Sequence, residues 1–234
     1  MSISKNFLKY LLASILILPI AEVSAVTISP TNVQLSNAKK IVSLTFVNDT
    51  PNSINIQTSA FTWKQTDGKD LYAKSDDLVV VPPIVTIPAN KSQIFRVTKK
   101  TFDSPSTEMS YRLYLEDVSP EFTDTKETPG VYFKFNQNLP VYYNPSDKAK
   151  ANASFISASL CSSSGEESCI RLDNNNNAHV GINNISINNQ DVNTGGVILG
   201  KSYKEFRFKS TQKITDKIIV KAGDLGDITL TLKK

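Results

Sequence analysis

The chain is poor in the residues on which much site chemistry depends. Its 234 residues include one histidine, two cysteines, one tryptophan and two methionines. So few soft donors leave little with which to build a metal site. A histidine-based triad is limited to one candidate, His179. It comes without a nucleophile-elbow motif or clustered carboxylates, which places hydrolase chemistry low. Neither sign of charge dominates: 26 basic residues face 22 acidic ones, and a formal charge of +4 does not by itself argue for nucleic acid. No window sustains a helical period. Beyond the N-terminus no long apolar stretch occurs.

The apolar stretch that does occur, Tyr10 to Ala21, follows Lys5 and Lys9 and ends in Val23-Ser24-Ala25. This layout is that of a cleavable export signal. Its core of about 12 residues is short of the roughly 20 a membrane helix needs. Residues 1–25 are therefore read as a signal peptide, with Val26 opening the mature chain. Export favours a disulfide between Cys161 and Cys169. Such a local staple contributes about 2–3 kcal/mol in the chain-entropy picture. The alternative is a redox or metal-binding pair, against which the spacing counts, since it is not C-x-x-C.

What the sequence has in abundance is strand signal. Ile41 to Val47, Ile54 to Trp63, Ile94 to Thr98 and the alternating Met109, Tyr111, Leu113 and Leu115 are separated by clusters of Pro, Asn, Asp and Gly. Turn signals this frequent point to an all-β chain of β-sandwiches. A composition break falls at Asn144 to Lys148, after which aromatics thin out and Asn and Ser rise. Two immunoglobulin-like domains are expected, 26–145 and 148–234, joined by a short hinge. Asn174 to Asn177 is read as a plain turn or loop.

The segment from Val131 to Tyr143 is long for a strand. One face carries Val131, Phe133, Phe135, Gln137, Leu139 and Val141; the other carries Tyr132, Lys134, Asn136, Asn138, Pro140 and Tyr142. Pro140 suits an edge or a bulge. Pattern alone leaves two readings open. Either the apolar face is used up inside its own domain, or its first half is an edge offered to another chain.

Several pieces in order resemble the periplasmic chaperones of pilus assembly. Val80-Val81-Pro82-Pro83-Ile84 to Pro88, then Gln93 to Val97, is similar to the family's double-proline strand and arginine-bearing strand. Glu108 to Asp117 resembles its sixth strand and Val131 to Pro145 its seventh. The likeness is good over about 26–145 and weak beyond. It implies two sandwiches in an L-shaped arrangement, located in the periplasm, with no catalysis, cofactor, metal, nucleic acid or small-molecule substrate. It also implies capture of pilus subunits by donor-strand complementation and their delivery to an outer-membrane usher. Two free copies can form a self-capping homodimer in this reading.

The resemblance assigns Val131, Phe133, Phe135 and Gln137 to the donor face. In much of the family two cleft cations hold the subunit's C-terminal carboxylate. Here Asn32 and Pro140 stand at those positions and supply no charge. Leu139-Pro140-Val141, with arginine in the sixth strand, looks closest to the archaic branch. Arg112 is the leading carboxylate anchor, because guanidinium binds carboxylate bidentately, and Lys134 is the second candidate. Arg96, Glu108 and Asp191 are expected to form an interdomain salt bridge. The competing function is an immunoglobulin-like adhesin or pilin subunit. Against a pilin, the mature chain enters a strand almost at once and the donor-like segment is central.

Overall fold

The computed structural model describes residues 26–120, 134–144, 150–161, 167–188, 190–192, 194–209, 214 and 216–233. The expected export signal, together with Val131 and Phe133, lies outside the described residues.

The first ten strands are β1 (Val26–Ser29), β2 (Val33–Leu35), β3 (Ile41–Asn48), β4 (Ile54–Thr66), β5 (Lys69–Lys74), β6 (Leu78–Val81), β7 (Ile84–Ile87), β8 (Lys91–Lys99), β9 (Met109–Asp117) and β10 (Asn136–Tyr143). One sheet runs β1-β3-β8-β6; the other runs β2-β10-β9-β4-β5, with β7 also on β4. Alternation decides which side chains meet between them. Val42, Leu44 and Phe46 of β3 face Leu113, Leu115, Leu139 and Val141 of the opposite sheet in one apolar core. Pro30 carries the chain between the sheets, from β1 to β2. The β4–β5 hairpin closes on Asp67 and Gly68, both at positive φ (52° and 72°). That is the two-residue turn whose twist suits the flanking strands.

The remaining strands are β11 (Ile156–Leu160), β12 (Glu167–Asn174), β13 (Val180–Ile182), β14 (Asn184–Ile187), β15 (Gln190–Asp191), β16 (Gly196–Ile198), β17 (Ser202–Lys209), β18 (Lys217–Ala222) and β19 (Gly226–Lys233). They form a sheet of order β15-β14-β18-β19-β11-β12-β17 and a separate β13-β16 pair. Ile170, Leu172, Ile185, Ile198 and Val220 lie in a second core. Among the described residues the only helical pieces are two short 3₁₀ turns. The chain is therefore an all-β protein of two immunoglobulin-like sandwiches. Cys161 and Cys169 are joined, with Cα atoms 5.1 Å apart, beside the β11–β12 pairing.

The asparagine run is more than a turn. Asn174 is buried, and its amide donates to the carbonyls of Ala178, Ile198 and Leu199 at 2.9–3.1 Å. Its Oδ1 accepts from the backbone and side chain of Asn176, which in turn binds Asn152. Asn48 does the same work in the first sandwich, donating to the carbonyls of Asn52, Ile87 and Pro88. Each buried amide satisfies carbonyls at a strand end and in the loop beside it.

Candidate functional site

Strand β10 is paired unequally along its length. All eight of its residues, Asn136 to Tyr143, ladder with β9, whereas β2 covers only Val141 to Tyr143. From Asn136 to Pro140 no described strand lies on the second flank. Successive residues aim their backbone polar groups to alternate sides. The Asn144 amide donates to Leu35 O at 2.9 Å and Phe135 O accepts from Asp117 at 3.0 Å. Even-numbered residues therefore turn toward the β2 flank and odd-numbered ones toward β9. Asn136 and Asn138 present their amides and carbonyls on the open flank. Pro140 places its missing N–H there too, so the β9 ladder loses nothing.

The side chains follow the same parity. Leu139, Val141 and Tyr143 are buried in the first core. Phe135 is half-buried, edge-on to Phe46 with ring centroids 5.4 Å apart. Gln137 is half-buried on the same face. Of the four residues expected to form the donor face, the structure thus describes two, Phe135 and Gln137, both at the border of the core.

The opposite face of this sheet is aromatic. Arg112 lies across from Phe61 on one side and Pro140 on the other. Its guanidinium carbon sits 3.8 Å from the centre of the Trp63 ring. The ring is fixed in turn by a hydrogen bond from its Nε1 to Asp70, 2.8 Å away. Burial opposes ionisation of Asp70, but hydrogen bonds from Gln65 and Trp63 and the Lys204 charge outweigh it and hold the carboxyl below its usual range. Tyr72 and Tyr142 flank Trp63, at 6.5 and 6.2 Å between ring centres. Arg112 is half-buried, and its Nε is enclosed without a hydrogen-bond acceptor. A buried guanidinium N–H without an acceptor is costly to keep, so this face holds cationic hydrogen-bonding capacity in reserve.

Beside it runs the joint with the second sandwich. Trp63, Tyr142 and Leu199 form a small apolar cluster across it. Gln65 donates to Val197 O and accepts from Leu199 N, both at 2.8 Å. Glu108 Oε1 is 2.7 Å from His179 Nδ1 and also accepts the His179 backbone amide. The His179 ring lies flat on Tyr142, 3.5 Å between centres. His179 is thus a joint residue rather than a catalytic base.

The expected Arg96–Glu108–Asp191 bridge does not form. Arg96 falls between Phe95 and Val97, which are buried, so it points outward from the β1-β3-β8-β6 sheet and is exposed. Glu108 is taken by His179, and Asp191 by Ser186 and Lys221. The buried cation near the joint end of this sandwich is instead Lys99, which binds Asp77 and Tyr111. Lys99 shares the parity of Phe95 and Val97, a signal that was present in the sequence. Lys134 is exposed. It stands six residues up the chain from Pro140, the partner of Arg112, or roughly 20 Å at strand rise. One carboxylate does not reach both.

The profile of the family described as pili and flagellar-assembly chaperone, PapD N-terminal domain, matches residues 25–149. No curated protein matches by sequence. Among solved structures, a chain of the CsuC–CsuE chaperone–tip adhesion subunit pre-assembly complex of Acinetobacter baumannii archaic Csu pili is similar at TM-score 0.72. It is 19% identical, and the match covers 90% of this chain and 100% of that one. The Salmonella enterica SafA pilin–SafB chaperone complex matches at 0.66 and 15% identity, covering 90% and 98%. The Escherichia coli chaperone DraB matches at 0.63 and 14%, covering 90% and 96%. At such identities the likeness speaks for the two-sandwich fold, while the profile match covers the sandwich that carries β10 and Arg112. The chain belongs to the pilus-assembly chaperone family, whose members are not enzymes.

Proposed function

We propose that this chaperone works in the periplasm by lending β10 and the residues just before it to a pilus subunit that lacks its last strand. The open flank of β10 from Asn136 to Pro140 is the observation that carries the reading. A subunit strand added there gains ladder hydrogen bonds, each worth about 0.5–1.5 kcal/mol net. Val131, Phe133 and Phe135 supply the apolar part, roughly 1.5–3 kcal/mol for each side chain fully buried. Ordering and association costs reduce the sum. Arg112 receives the subunit's C-terminal carboxylate. The loaded chaperone then delivers its subunit to an outer-membrane usher, where a neighbouring subunit's extension displaces the lent strand. Until then, a second copy of the chain can cover the same flank.

Replacing Phe133 and Phe135 together by Ser tests the donor role. Periplasmic recovery of a co-expressed pilus subunit should fall to background while the chaperone keeps its circular dichroism spectrum. Undiminished recovery would refute it.

A further inference from the structure

We infer that Tyr72 is the second hydrogen-bond donor of the carboxylate site, standing in for the second cation that the chain lacks. The inference rests on Arg112 being the anchor. Neither Asn32 nor Pro140 carries charge, and Lys134 lies too far along the strand. A carboxylate with two oxygens would then meet a single guanidinium on a largely aromatic face.

Tyr72 is placed to complete it. It pairs directly with Trp63 across the β4–β5 ladder. Its ring stacks on the indole with planes 30° apart. At 45% exposure it is open to an incoming group, whereas Trp63 at 3% is closed. The indole therefore acts as a platform, with Arg112 over it and Tyr72 at its rim. Ser110, opposite Tyr142, is small, which leaves the guanidinium room to lie down on the ring.

Hydrogen-bond logic decides what Tyr72 can offer. Its phenol shares the Trp63 ring with the Arg112 guanidinium, whose charge acts on it. Guanidinium only donates, so Arg112 cannot take up the phenol O–H. A phenol O–H on the same platform as a guanidinium is thus left to donate to an incoming acceptor. Burial and the nearby Asp70 charge hold the phenol protonated, against the opposing pull of Arg112. Asp70 itself is occupied by Trp63, Gln65 and Lys204 and does not compete for the proton. The site so formed offers one charged and one neutral donor on a flat apolar floor. It would favour a planar carboxylate and reject the corresponding amide, whose NH₂ finds no acceptor.

Trp63 is the chain's one tryptophan, so its fluorescence reports on the site directly. The experiment titrates the mature chain with an N-acetylated tripeptide ending in a free carboxylate, and with the same peptide amidated. Wild type should prefer the acid. Tyr72→Phe keeps the ring on the platform and should weaken acid binding roughly tenfold, the loss expected for one hydrogen bond to a charged group, without changing amide binding. Arg112→Ala should remove the preference altogether. If Tyr72→Phe binds the acid as wild type does while Arg112→Ala loses it, the role of Tyr72 is overturned and the anchor stands. If wild type does not distinguish acid from amide, the anchor itself is overturned.

Discussion

The two halves of β10 differ in almost everything except their sequence style. The second half is held on both flanks, by β9 and by the parallel β2, and its side chains are tied down in two directions. Tyr143 enters the first core, donates to Asn37 at 2.7 Å and lies under the Lys99 ammonium. Tyr142 turns the other way and supports His179 of the second sandwich. The first half has one ladder and an open flank, with the half-buried Phe135 ring just before it. A single strand thus combines a stem held on both flanks with a blade open on one. An open edge of this kind is what native sheets normally cover or blunt.

The comparison can be broken hardest at the stem. Asp77→Asn leaves the Lys99 ammonium enclosed without its counter-ion and should cost about 3–5 kcal/mol, measured by chemical denaturation. Burial pushes the Asp77 carboxyl up, but hydrogen bonds from Lys99 and Tyr111 and the Lys99 charge win and hold it below its usual range. Its contribution is therefore complete above the ordinary carboxylate range and drains away as pH falls through the lowered value. Acid titration of wild type should show this loss, and the Asn variant should lack that component.

Next in size is Tyr142→Ala, which removes the support of His179 and the contact with Trp63. A loss of about 2–4 kcal/mol is expected. Chemical shifts on both sides of the joint should move, including those of His179 and Leu199. The smallest effect belongs to the blade. Phe135→Ser alone should cost only about 1–2 kcal/mol, its aromatic pairing with Phe46 plus partial burial, seen as a modest drop in Tm. A loss as large as at the stem would mean that the ring is committed to its own core.

Much of this was legible from alternation. The strands, their turns and the division into two sandwiches follow from period-two runs and their punctuation. The outward placement of Arg112 follows from Tyr111 and Leu113 on either side of it. The same rule, applied to Phe95 and Val97, would have sent Arg96 outward and Lys99 inward. The family likeness instead drew Arg96 into an interdomain role it does not hold. Three features had no local signal. The Trp63 platform depends on Arg112 and Tyr142, far away in sequence, reaching one ring. The His179–Glu108 contact joins residues of different sandwiches. Asn174 looks like any turn asparagine until the carbonyls around it are seen to need its amide.

Pro140 carries a last consequence. A chain sliding along the open flank toward β2 finds a rung with no amide to offer, one position short of the β2 pairing. Every guest that slides too far forfeits a bond there. The pyrrolidine thus serves as a backstop that sets alignment from the host's side, whatever the visitor's side chains. Under the proposed function, one such host would hold dissimilar visitors in the same frame.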